Sequence, residues 1–273
     1  MRAGDADPRH RSLPDGYRRR RLADARAVVH RSADAWLEDV LSGGKTLHEW
    51  AGEQPDHGTF AGRGTVFSIP APDVGPEGRR RWAVRHYRRG GAMASCLEDR
   101  YLRLGRPRPF RELDAATTAR SRGIRTPAIL AGVVYPAGLY YRADLVTEVV
   151  PEARTLATLL HEHDGSRAWT DAMAAAGALV NEMGDAGVFH VDLNAMNVIF
   201  ESGRISQPWV LDLDRARIGR RRWEAAKERM RARLTRSVIK VGTPTGERLG
   251  EREVLAALRA PSSPSADAGG TGR

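Results

Sequence analysis

The chain of 273 residues has one cysteine, Cys96, only three lysines among its 44 basic residues, and no apolar run long enough to span a membrane. A single thiol cannot build an intramolecular disulfide framework, which excludes a stapled secreted scaffold and fits a reducing cytoplasm. The longest apolar stretch lies near residues 128–134, far short of the roughly 20 residues that a spanning helix needs. The opening residues include Arg, Asp and Pro and form no apolar signal core, so export is not expected. Aromatic stacking motifs are missing around the arginine runs, which argues against specific RNA recognition. No nucleic-acid partner is expected, no obligate protein partner is evident, and no internal repeat occurs.

Hydrophobic residues make up 41% of the sequence, enough for one large domain or two lobes with a substantial core. The net charge of +10 is unevenly spread. Residues 79–125 carry 14 Arg against 4 acidic side chains, and residues 215–260 carry 14 basic against 5 acidic. Such patches attract phosphates, nucleic acid or an anionic membrane surface, and composition does not choose among the three. With no spanning segment, the membrane case predicts peripheral binding that weakens with salt.

Residues 1–31 are polar and Arg-rich without periodicity, so they read as a basic flexible arm. Residues 261–273 read as a disordered tail. Helical spacing begins at residue 33 and runs to 41, with Ser32 as the expected N-cap and Gly43-Gly44 as the stop. Gly43-Gly44-Lys45-Thr46 ends like a phosphate-binding P-loop, but Asp39 stands where the first glycine belongs. Extended segments follow at 65–69, 81–87, 128–135 and 139–150, with a helix at 109–122 embedded among them. After Pro151 helices are expected at 155–163 and 169–186, short strands at 197–201 and 209–213, and a basic helix from about 221 to 235. The pattern predicts an α+β fold of two lobes, a strand-rich N-lobe over 32–150 and a helical C-lobe over 151–260, with a site between them.

The densest polar cluster is His190-Val191-Asp192-Leu193-Asn194-Ala195-Met196-Asn197, which runs into the apolar strand Val198-Ile199-Phe200. Fifteen residues after Asn197 comes Asp212, in Val210-Leu211-Asp212-Leu213-Asp214. Asp192 can accept a proton from a hydroxyl, while Asn197 and Asp212 offer hard oxygen donors suited to Mg²⁺. A hairpin joining the two short strands would bring those donors together. The nearby His161-Glu162-His163 is a poorer metal candidate, because side chains at i and i+2 do not face one another on a helix.

A histidine, one residue, an aspartate and then an asparagine five residues on, followed by a hairpin ending in Asp, resembles the protein-kinase catalytic signature. More narrowly, HVDLNAMN, LDLDRAR, RHYRRGG, DRYL and YRADLVTE resemble the 3-deoxy-D-manno-octulosonic acid (Kdo) kinases of lipopolysaccharide core assembly. The resemblance covers roughly residues 58–240, and its motifs occur in the family's order. It implies a two-lobed protein-kinase-like fold, with ATP and Mg²⁺ as cofactors and Asp192 as the catalytic aspartate. It also implies that Asn194 touches the transferring phosphate or the sugar, and that Asn197 and Asp212 hold the metal. Gly62 and Gly64 look like a shortened glycine-rich loop. Arg85 stands at the position of the phosphate-holding lysine, with Glu112 as its ion-pair partner. Residues 147–150 look like the hinge, where backbone groups around Glu148 and Val150 would hold adenine. The implied acceptor is the 4-hydroxyl of Kdo on a lipid A precursor, at the cytoplasmic face of the inner membrane.

Leu213 and Asp214 replace the phenylalanine and glycine of the D-F-G triplet, and no A-P-E segment follows. Regulated activation-loop switching is therefore not expected. The residues alone leave other acceptors open: a heptose, an aminoglycoside, or protein serine and threonine. They also leave open a non-catalytic kinase-like scaffold.

Overall fold

The computed structural model describes residues 12–60, 64–88, 99–162, 167–242 and 249–262. Gly62, Cys96, His163 and nearly all of the expected C-terminal tail lie outside them. The chain divides into two compact units, one of residues 1–110 and 129–148, the other of residues 111–128 and 149–273. Residues 111–128, expected in the N-lobe, thus belong to the helical unit.

The first unit is built on one antiparallel sheet. Its strands are β1 (Tyr17–Leu22), β2 (Ala25–His30), β3 (Gly58–Phe60), β4 (Val66–Pro70), β5 (Arg81–His86), β6 (Tyr101–Leu102), β7 (Ile129–Ala137) and β8 (Tyr140–Glu148). They run in the order β1-β2-β7-β8-β5-β4-β3, with β6 also paired to β8. Burial explains the order. In β7 the residues from Ile129 to Val134 are all buried, as a central strand requires, whereas β1 is largely exposed and forms an edge. Trp82 and Val84 of β5 alternate inward onto Leu37, Leu47 and Ile69. Full burial of each such side chain contributes on the order of 1.5–3 kcal/mol.

Of the flexible arm expected over residues 1–31, residues 1–11 lie outside the described residues, and β1 and β2 correct the expectation over 17–30. Tyr17 through Leu22 pair in register with His30 through Ala25, and the Tyr17 hydroxyl donates to the Ile129 carbonyl at 2.5 Å. Arginine suits this edge because Arg18 and Arg20 reach across to Asp34 and Glu38 of α1 (Asp34–Ser42). Asp34 is 5% exposed, so those cations compensate a buried charge. The expected cap at Ser32 is also revised. His30 accepts the Ser32 N–H and opens a short 3-10 turn, and α1 starts after Ala33 without a side-chain cap. Gly43 closes α1 and Gly44 follows with φ of 76°, so the P-loop-like string is a helix stop.

One polar group organises the interior of this unit. Asp144 of β8 is fully buried. Its Oδ1 lies 2.6 Å from His86 Nδ1, and its Oδ2 accepts from the Tyr135 hydroxyl at 2.9 Å and from the His48 N–H at 3.0 Å. The Tyr135 oxygen in turn accepts the Leu47 N–H. Two otherwise orphaned donors at the start of α2 (Leu47–Gly52) are thereby satisfied, and a Thr46–Glu49 capping box completes that helix end. The far nitrogen of His86 lies 3.1 Å from Asp99.

The second unit is helical: α3 (Arg108–Ser121, of which 111–121 fall here), α4 (Leu156–His161), α5 (Arg167–Asp185), α6 (Glu224–Val241) and α7 (Glu251–Arg259). Five short strands join them: β9 (Arg154–Thr155), β10 (Val188–Phe189), β11 (Val198–Phe200), β12 (Trp209–Val210) and β13 (Arg217–Ile218). Met173, Ala176, Val180 and Met183 form the buried face of α5. At Gly177 a Cβ would lie 1.8 Å from the Leu258 carbonyl, so only glycine lets α7 pack this closely.

Burial alone would lower the pKa of His86, but hydrogen bonds and charge from Asp144, and then Asp99, override it and raise the pKa above 6.5. A raised folded-state pKa stabilises the protein below pH 6.5, and that contribution is lost as pH climbs through the raised value. The urea midpoint of the wild type should therefore fall relative to His86→Gln as pH rises above 6.5. Parallel midpoint curves for the two proteins across that range would show that the network does not hold a charged imidazole.

Candidate active site

The loop at residues 190–197 is held at both ends by β-ladders. It leaves β10, which pairs with β13, and enters β11, which pairs with β12. Gly187 just before it has φ of 70°, and a Cβ there would meet the Gly219 and Arg220 carbonyls within 2.7 Å. Glycine is thus required for β10 to start so close to the segment that follows the hairpin. Arg122, after α3, donates to the Ala186 and Gly219 carbonyls and fixes the same corner.

His190 is the pin of the loop. It is 2% exposed; its Nε2 donates to the Leu211 carbonyl at 2.9 Å and its Nδ1 accepts the Asp192 N–H at 3.2 Å. Those two bonds select one neutral tautomer. Burial, the larger influence, holds its pKa below the ordinary 6.5 despite the hydrogen bond to Leu211 and the carboxylates nearby. One ring therefore ties the backbone of Asp192 to the residue preceding Asp212.

α6 braces the loop from a second side through positions three and four residues apart. Met230 Sδ accepts the His190 N–H at 3.3 Å, and Ser237 Oγ accepts the Ala195 N–H at 3.0 Å. Between them, Arg233 Nη2 lies 2.7 Å from Asp192 Oδ1. Arg215, just beyond the hairpin, places Nη1 2.6 Å from Asp192 Oδ2. The carboxylate of Asp192 is one-third exposed and is flanked by two guanidinium groups.

Asn194, expected to touch phosphate or sugar, is engaged within the loop. Its Nδ2 donates to the Asp192 carbonyl at 2.8 Å and its Oδ1 accepts the Met196 N–H at 2.9 Å. A side chain spanning its own turn in this way sets the loop's shape. Asn197 directs its Nδ2 toward the same Asp192 carbonyl at 3.4 Å. Its own carbonyl accepts the Leu211 N–H at 2.8 Å, so Asn197 faces Leu211 and Asp212 is the next residue. Asp212 has φ of 61°, a left-handed conformation that Asp tolerates better than most residues and that often marks functional sites. The hairpin thus sets the backbones of Asn197 and Leu211 side by side, with Asp212 next in the chain. Among the described residues no group of three or more His, Cys, Asp and Glu side chains clusters as a metal cage.

The other expected residues divide between the units. Val150 is buried against Ile199, Trp209 and Leu211, so it packs on the hairpin that carries Asn197 and Asp212. Glu112 lies on α3 and is 4% exposed. In the first unit, Arg85 of β5 stacks its guanidinium on Tyr87 at 4.9 Å, and Gly64 lies against the Arg88 side chain. Glu148, expected to offer backbone groups to adenine, uses its side chain elsewhere. The carboxylate is buried and accepts the N–H groups of Glu77 and Arg79 at 3.0–3.2 Å, while Gly75 sits so close that a Cβ would clash with it. Its carboxylate therefore fastens the β4–β5 loop, and only its backbone remains for a hinge role.

Sequence reasoning missed Met230, Arg233 and Ser237, because basic composition masked the buried face of α6. It also missed Arg215, which sits in the quoted LDLDRAR string without a role attached. A loop with a buried histidine, a semi-exposed aspartate and an Asn–Asp hairpin is the protein-kinase arrangement for hydroxyl phosphorylation. Residues 58–258 match the family model described as "Lipopolysaccharide kinase (Kdo/WaaP) family". A 3-deoxy-D-manno-octulosonic acid kinase of Vibrio cholerae serotype O1 is 30% identical over 66% of this chain and 75% of that protein. The kinase of the same name from Xanthomonas campestris pv. campestris is 35% identical over 66% and 68%. That from Photobacterium profundum is 32% identical over 67% and 73%. With the match spanning both the sheet-bearing unit and the hairpin of Asn197 and Asp212, the chain belongs to the lipopolysaccharide kinase family.

Proposed function

We propose that this kinase transfers the γ-phosphoryl group of ATP to a hydroxyl of Kdo on a lipid A precursor, the 4-hydroxyl in the reading adopted here. The observation that carries the reading is the single hairpin and loop that assemble Asp192, Asn197 and Asp212. The relatives' shared name supplies the acceptor class. Asp192 orients the acceptor hydroxyl and takes its proton as the oxygen attacks the γ-phosphorus and the bond to the ADP oxygen breaks. Asn197 and Asp212 pair a neutral and a charged oxygen donor, a set that fits Mg²⁺. Bound there, the ion would neutralise charge on the phosphate oxygens. His190 keeps loop and hairpin in register, and Asn194 keeps the loop closed. α6 begins at Glu224, soon after Asp212, which supports a site assembled without a long switching segment.

The reading extends to the cytoplasmic face of the inner membrane. No described helix is long and apolar enough to cross a membrane. Leu102, Leu104 and Leu139 are 46%, 81% and 79% exposed. They meet where β6 runs beside the β7–β8 turn, since the Arg103 N–H donates to the Leu139 carbonyl. Arg103 stands between two of the leucines and Arg106 follows them. An apolar tip within a basic surface suits shallow insertion among anionic lipids.

Asp192→Asn should lower kcat by about 10²-fold or more, with folding and Mg–ATP binding retained, whereas Asp212→Ala should raise the Mg²⁺ concentration needed for half-maximal rate. An Asp192→Asn enzyme keeping more than about a tenth of wild-type kcat would remove Asp192 as the base. In flotation with phosphatidylglycerol-containing liposomes, wild type should retain part of its binding at high salt. Replacing Leu102, Leu104 and Leu139 by Ser should leave only a salt-sensitive fraction. Identical salt curves for the two proteins, or no flotation of either, would dismiss the tip as a membrane contact.

A further inference from the structure

The two arginines on Asp192 have no part in the chemistry described above. Arg215 and Arg233 come from different elements, the turn after Asp212 and the helix α6, yet both converge on one carboxylate at 2.6 and 2.7 Å. Their side chains are 57% and 46% exposed. Ion pairs this exposed contribute little to stability, so folding gives a weak reason for two arginines here. Each guanidinium has five N–H donors, and these contacts engage a small part of that capacity. Any hydroxyl that Asp192 activates must approach its carboxylate to about 2.6–3.2 Å. A group held two ring carbons from that hydroxyl, as the Kdo carboxylate is from the 4-hydroxyl, then comes within a few ångström of the guanidinium forks.

We propose that Arg215 and Arg233 form an anion-recognition pair beside the base, selecting acceptors that carry a carboxylate close to the reacting hydroxyl. The inference rests on the sugar-acid reading above and deepens it: the pair reads the acid group rather than the sugar ring. A carboxylate matches a guanidinium fork in shape as well as charge. A neutral acceptor would enter a site with two cations and bring nothing to pair with them. Arg215 and Arg233 are specificity residues in this scheme, and Asp192 remains the group that takes the proton.

The test compares a Kdo glycoside with its methyl ester, in which the same hydroxyls are present and the negative charge is gone. Wild type, Arg215→Gln, Arg233→Gln and the two Arg→Lys variants are assayed for kcat and KM of each acceptor and for KM of ATP, with thermal melts to verify folding. Wild type should favour the acid over the ester by about 10- to 100-fold in kcat/KM, the span expected of charge-assisted hydrogen bonds. Each Gln variant should lose most of that preference through the KM of the acid, with KM for ATP unchanged, and Lys should restore it only in part. An undiminished acid-to-ester ratio in the Gln variants would overturn the proposal. So would a wild type indifferent to the ester, or a raised KM for ATP with the ratio intact, which would place the guanidinium groups on the donor phosphate. If wild type phosphorylates neither Kdo compound but accepts another sugar, the Kdo reading fails. The anion pair is then judged by the same comparison on charged and neutral forms of that sugar.

Discussion

The catalytic geometry hangs on one buried imidazole. His190 donates to Leu211 and accepts from Asp192, so the loop that carries Asp192 and the hairpin that carries Asn197 and Asp212 cannot shift independently. Burial holds the ring's pKa below 6.5 and so favours the neutral form, in which one nitrogen donates while the other accepts. A protonated ring would present two donors and leave the Asp192 N–H without its acceptor. Removing the ring would leave a carbonyl and an amide unpaired beneath the site, at about 1–3 kcal/mol each. Everything else around the loop reinforces this tie: the two β-ladders at its ends, the Asn194 bridge within it, and the α6 contacts from Met230 and Ser237.

The first unit solves a similar problem with a charge. Asp144 sits in the middle of a sheet, where an unpaired carboxylate would be costly. Its partners turn that liability into alignment, because His86, Tyr135 and the N-terminus of α2 all converge on it. Arg85 precedes His86 on the same strand. The position next to Arg85 is thus anchored to the sheet interior.

Much of this was legible in the sequence, and the reasons for the rest are specific. The strands β4, β5, β7 and β8 and the helices α1, α3, α4, α5 and α6 follow from residue pattern and periodicity. Asp192, Asn197 and Asp212 follow from spacing, since an antiparallel hairpin fixes which residues meet. β1 was not legible because four consecutive arginines show no alternation; their stability in a strand comes from acidic partners on α1. Residues 111–128 were assigned to the wrong unit, because sequence order does not reveal which core a helix joins. Asn194 was given an outward role, whereas its hydrogen bonds direct it into its own loop, and short-range bonds of that kind leave no periodic trace. The Asp144 network joins residues far apart in the chain, from Leu47 to Asp144, so no local pattern announced it.

The central claim is that this chain phosphorylates a Kdo hydroxyl with ATP. The most direct measurement is phosphorus–proton correlation NMR of the product formed from purified protein, Mg–ATP and a Kdo-bearing lipid A precursor. The account predicts one new phosphate, coupled to the proton at C4 of Kdo, with one ADP released per phosphate transferred. Phosphate found on a heptose, an aminoglycoside or a protein side chain instead, or ATP turnover that leaves Kdo unmodified, would contradict it.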